Sequence, residues 1–80
     1  MKTPRDCAAA ELIRALQKLG YTVSRQTGSH IRLATQQDGE HHVTVPNHDP
    51  IKVGTLHGIL KDVATHHRRS VDDLLRELDL

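Results

Sequence analysis

Eighty residues leave room for one domain, residues 1–80, whose core must come from a few short elements. Tyr21 is the sole Phe, Tyr or Trp residue, which excludes a sheet that reads single-stranded nucleic acid by stacking bases on several rings. Net charge is +1, but residues 1–69 carry ten Lys or Arg against six acids while residues 70–80 carry Arg76 against Asp72, Asp73, Glu77 and Asp79, a basic body compatible with phosphate contacts and an acidic tail.

Thr3, Pro4 and Asp6 read as the N-cap, first-turn proline and capping-box acid of a helix with the apolar stripe Ala9, Leu12, Ile13, Leu16 and Leu19. Gly20 stops it. Tyr21 to Gln26 then alternates Tyr21 and Val23 against Thr22 and Ser24, the pattern of a half-buried strand. Strict alternation would bury Arg25, so the strand is expected to twist or end there and leave Arg25 to a site.

After a Thr27-Gly28-Ser29 turn, His30 to Thr35 sets Ile31 and Leu33 against His30 and Arg32. Asp38-Gly39 signals a hairpin into a third strand, His41 to Pro46, with Val43 and Val45 inward. Tyr21, Val23, Ile31, Leu33, Val43 and Val45 make the face that helices must cover. Ser24, His30, Arg32, His42 and Thr44 make a wet one. Asn47 to Gly54 reads as a loop, Thr55 as the cap of a helix carrying Leu56, Ile59, Leu60 and Val63, and Ser70 with Asp73 as the capping box of a last helix carrying Val71, Leu74, Leu75 and Leu78.

The fold class is therefore α+β: an α-β-β-β-α order like that of the double-stranded-RNA-binding domain, with a three-stranded antiparallel sheet covered by helices on one face and a short C-terminal helix. Fold order alone is a weak functional warrant. Cys7 is the single cysteine, so no internal disulfide or cysteine-rich zinc site forms. Seven histidines offer no HxxxH spacing, His41 and His42 point to opposite faces, and His66 and His67 sit beside Arg68 and Arg69, so no metal site is expected. No apolar run reaches the roughly 20 residues of a membrane span, and the start lacks a signal-peptide stretch, so a cytoplasmic protein without membrane contact is expected.

The chain resembles the HicA family of toxin ribonucleases, mRNA interferases paired with HicB antitoxins, over roughly residues 8 to 63. Four motifs carry the likeness in order: Leu19-Gly20-Tyr21, Arg25-Gln26-Thr27-Gly28-Ser29-His30, Val45-Pro46-Asn47-His48, and Gly54-Thr55-Leu56 followed by Ile59-Leu60-Lys61. The resemblance implies a metal-independent endoribonuclease without cofactor, with His30 of Gly-Ser-His as general acid/base, mRNA as substrate, and a HicB-like antitoxin that masks the active face. One departure stands out. Family members often close the second helix at a glycine, whereas here Thr65 to Arg69 form a longer connection that could extend the helix, bind RNA or meet the antitoxin.

The chemistry of the residues agrees with that implication. An imidazole can act as base or acid near neutrality. Gly28 lets the turn approach a phosphate or take positive φ, Ser29 can donate to a phosphate oxygen, and Arg25, Arg32 and Lys52 can neutralise charge on it. Ser29 can equally serve its own turn. His48, after Pro46, either pins the loop by a side-chain hydrogen bond or stands near His30 as a second proton-transfer group. Two other readings keep the scaffold: a non-catalytic module that grips duplex RNA by phosphates and 2′-hydroxyls, and an interaction protein whose polar sheet face docks a partner.

Overall fold

The computed structural model describes residues 4–80. In chain order the elements are α1 (Ala9–Leu16), prolonged by a 3₁₀ turn (Gln17–Leu19), then β1 (Thr22–Thr27), β2 (His30–Thr35), β3 (His41–Pro46), α2 (Val53–His66) and α3 (Val71–Leu78). The strands pair antiparallel in the order β1-β2-β3. This is the expected α+β arrangement.

α1 begins at Ala9, later than its sequence signals suggest, and the Thr3 cap lies outside the described residues. The backbone around Cys7 is engaged elsewhere: Ile51 N–H donates to Cys7 O at 2.8 Å, and Ala9 N–H donates to His48 O at 3.0 Å. Those bonds tie the segment to the loop after β3. Glu11 Oε1 then accepts from Ala8 N–H at 3.4 Å, which supplies half of a capping box. At the far end Gly20 takes φ 83°, with Gly20 N–H donating to Gln17 O and Tyr21 N–H to Leu16 O, a Schellman termination.

Leu12, Leu16, Leu33, Val45, Leu56, Leu60, Val63 and Leu74 form the centre of one aliphatic core, into which Tyr21 is fully sunk. The apolar sheet face is as expected except at Val23, which is 50% exposed. Val23 pairs with Leu33 and so faces the helical side, but β1 is an edge strand and α1 and α2 pack against β3. Val23 thus lies at the sheet edge opposite the strand on which those helices pack.

α2 departs from expectation at its start. Its N-cap is Lys52, not Thr55, and Gly54 lies inside the first turn. Its C-terminal residues, Thr65 and His66, continue the helix, and Arg68 takes the left-handed position at φ 58° with Arg69 N–H donating to Ala64 O. Ser70 caps α3 as expected, its Oγ accepting from Asp73 N–H at 3.0 Å. Arg69 pairs with Glu77 and donates to His67 O, and Lys18 Nζ donates to Leu78 O. Of the acids in the tail, Glu77 is thereby matched to a cation from outside it.

Candidate functional site

The site begins with a change of register in β1. Val23 pairs with Leu33, but Arg25, two residues on, pairs with Arg32, leaving Ser24 as the extra residue of a bulge. Side chains directly opposite each other share a face. The bulge therefore turns Arg25 from the helical side to the polar side, beside Arg32, which resolves the alternation problem at Arg25. Ser24 does not join that face as a free hydroxyl, because its Oγ donates to Arg32 O at 3.2 Å.

Thr27 pairs with His30 across the two-residue turn Gly28-Ser29, and Gly28 holds φ 55°. A Cβ at Gly28 would meet nothing within 4 Å, so backbone conformation is what calls for glycine there. Ser29 serves the frame through its carbonyl, which accepts from Asn47 N–H at 2.6 Å. On the other side of β2, His30 pairs with Pro46 and Arg32 with Thr44. His30 is exposed on the polar face and flanked on both sides by ordered strand.

Two open grooves meet at this histidine. One, of about 210 Å³, is lined by Arg25, Thr27, His30, Arg32 and Thr44. The other, of about 410 Å³, is lined by His30, Thr44, Pro46, His48, Lys52 and Thr55. The lining holds Arg25, Arg32 and Lys52 and no carboxylate. Among the described residues none of these three cations is in an ion pair. Lys52 also opens α2, whose first internal bond is Leu56 N–H to Lys52 O, so the amides of Val53, Gly54 and Thr55 have no intrahelical partner beside the larger groove. Cationic side chains, hydroxyls and a helix N-terminus around an accessible imidazole suit an anionic ligand.

A family model described as HicA toxin of bacterial toxin-antitoxin matches residues 9–64. The chain belongs to the HicA toxin family. No curated protein and no solved structure matches it. As a toxin of this kind, the HicA chain has an antitoxin for its counterpart. Every candidate site residue falls within the matched segment: Arg25, Gly28, Ser29, His30, Arg32, His48 and Lys52. His67 and α3 fall beyond it.

The geometry of this HicA chain brings together Arg25, His30, Arg32, His48 and Lys52, and gives Gly28 and Ser29 the turn that holds them. Thr27 and Thr55, which the sequence marks only as turn and cap residues, and Thr44, which it marks only as part of the wet face, also line the grooves. Thr44 and Pro46 follow from the register of β3 on β2, set by a Gln36–Glu40 connection longer than the two-residue turn that Asp-Gly often makes. Asp38 and Gly39 both take positive φ in it. Among the described residues no group of three or more His, Cys, Asp or Glu converges as a metal site, and no helix is long and apolar enough to cross a membrane.

A second histidine cluster lies at the other end of the sheet. Tyr21 Oη is 2.7 Å from His41 Nδ1 and 3.1 Å from His67 Nε2, His67 Nδ1 is 3.0 Å from Asp38 Oδ2, and His66 stacks on His41 at 4.3 Å. The hydrogen bond from His67 holds the Asp38 carboxyl below its usual range. His30 opens β2 and Thr35 closes it, which separates the two clusters by about 17 Å at the usual strand rise. The histidines of the Thr65 to Arg69 connection thus fasten the end of α2 to the β2–β3 turn.

Proposed function

We propose that this toxin is a metal-independent mRNA endoribonuclease that halts translation, with His30 as general acid/base. The supporting observation is the position of His30 where two acid-free grooves meet, between Arg25 and Arg32 on one side and Lys52 on the other. A ribose-phosphate linkage laid across the polar sheet face sets its phosphate among these cations. The ribose 2′-oxygen attacks the adjacent phosphorus as a base takes its proton, and the bond from phosphorus to the 5′-oxygen breaks as an acid supplies a proton to that oxygen. Each such transfer contributes about 10² to 10⁴ in rate. The cations stabilise charge on the phosphate oxygens as it grows.

The same face is the one we assign to a HicB-like antitoxin, since a protein laid over Arg25, His30, Arg32 and Lys52 excludes RNA by occupancy. The test is incubation of the purified chain with mRNA, with and without chelator, beside His30→Ala. Cleavage that survives chelation and is lost in the folded variant is expected. Equal cleavage by both proteins removes His30 from the mechanism. Tight binding of RNA that stays intact would mark a non-catalytic module instead.

A further inference from the structure

The reaction needs two proton transfers, and a single histidine in the larger groove leaves one of them without a named group. His48 borders that groove with His30. Its backbone is fixed on several sides: Asn47 N–H donates to Ser29 O at 2.6 Å, His48 N–H to Pro46 O at 2.9 Å, and Ala9 N–H to His48 O at 3.0 Å. Pro46, two residues before it, is the direct register partner of His30. The loop is therefore pinned by main-chain bonds. The His48 imidazole is not the pin; it is exposed, and among the described residues it has no hydrogen-bond partner. A rigid backbone carrying an unengaged imidazole, beside Lys52 and across from His30, is the arrangement expected of a positioned reactive group.

We infer that His48 is the second proton-transfer group of the cleavage reaction, acting across the groove from His30; this rests on the ribonuclease reading above. One imidazole accepts the 2′-hydroxyl proton as the new bond from that oxygen to phosphorus forms. The other, entering as imidazolium, gives its proton to the 5′-oxygen as the bond from phosphorus to that oxygen breaks. The two histidines exchange protonation states over the step, and solvent restores them. Lys52 holds a non-bridging oxygen and takes no part in proton movement.

The test compares wild type, His30→Ala, His48→Ala and His48→Gln on two oligoribonucleotides, one ordinary and one with sulfur in place of the bridging 5′-oxygen. A thiolate leaves without an acid, so a variant lacking the acid recovers on sulfur and a variant lacking the base does not. On the ordinary substrate we expect both His48 variants to lose about 10² to 10⁴ in rate, to keep the wild-type thermal unfolding profile, and to lose one limb of the pH–rate curve. On the sulfur substrate one of His30→Ala and His48→Ala recovers to within tenfold of wild type and the other does not, which assigns acid and base. Wild-type rates for His48→Gln on the ordinary substrate, or recovery of both alanine variants or of neither on sulfur, would overturn the inference while leaving His30 in place. A wild-type protein that cuts no RNA would remove the ribonuclease reading, and this assignment with it.

Discussion

The hydroxyl of Tyr21 lies 2.7 Å from His41 Nδ1 and is fully buried. With His67 and the carboxylates of Asp38 and Asp62, it completes a chain of four polar contacts running from Asp38 to Asp62. Two neutral imidazoles and one phenol bring three protons to four contacts, so all four close together when one imidazole carries a second proton. Removing the phenolic oxygen leaves the ring in the core and strips the buried His67 of a partner. Tyr21→Phe is expected to lower stability by about 1–3 kcal/mol, read as a fall in the denaturant midpoint at unchanged slope. An unchanged midpoint would mean that the network adds nothing.

Tyr21 also reports its own environment, because no Trp and no other Tyr absorbs beside it. Burial first, and the Asp62 charge second, push its phenol up to about 12 from an ordinary 10.0. A folded value raised above the unfolded one favours the native state fully below the unfolded value and loses that contribution as pH climbs through the folded one. Alkaline titration followed by tyrosinate absorbance should show a midpoint near 12 for the native chain, with stability falling from about pH 10 upward. A native midpoint near 10 would contradict the buried, hydrogen-bonded ring.

Most of this architecture can be read from residue order. The strands His30–Thr35 and His41–Pro46, the Gly20 stop and the Ser70 cap carry local signals strong enough to survive tertiary packing. Misreadings arise where a distant bond overrides a local one. The Thr3-Pro4 helix signal gives way to backbone bonds between residues 7–9 and the loop at 48–51, and Thr55 is passed over because α2 starts at Lys52 with no side-chain cap. The end of α2 carries no glycine signal, since Arg68 occupies the left-handed position. At the candidate site, residue types are legible in the Gly-Ser-His run, but the bulge at Ser24 that turns Arg25 toward Arg32 has no glycine to announce it. Nor does any spacing reveal that His48 and His30 share a groove, which follows from the pairing of His30 with Pro46.

Two glycines with positive φ should respond differently to alanine. At Gly28 the added Cβ meets nothing within 4 Å, so Gly28→Ala costs only backbone strain, about 1–2 kcal/mol. At Gly20 the Cβ would stand 2.8 Å from Thr35 Oγ1, whose hydroxyl donates to Leu19 O at 2.7 Å. Gly20→Ala should therefore lose that strain plus a further 1–3 kcal/mol or so from overpacking. Thermal unfolding of the two variants side by side gives the order, and a Gly28 variant less stable than the Gly20 variant would contradict it.

Arg25 offers the sharpest test of the polar face as a phosphate-binding surface, because the bulge, and not strand alternation, is what puts it there. Its guanidinium lines the smaller groove with Arg32 and His30, and no carboxylate lines that groove. A cation that displaces a counterion from single-stranded RNA contributes about 0.7 to the slope of log affinity against log salt. Measured on the His30→Ala background to keep the RNA whole, Arg25→Ala should weaken binding at low salt and lower that slope by about 0.7. Arg76→Ala, whose guanidinium pairs with Asp73 on α3, should leave the slope unchanged. Equal slopes for Arg25→Ala and its parent would place the bound phosphates elsewhere on the molecule, and would separate the Arg25–Arg32 pairing from any part in RNA recognition.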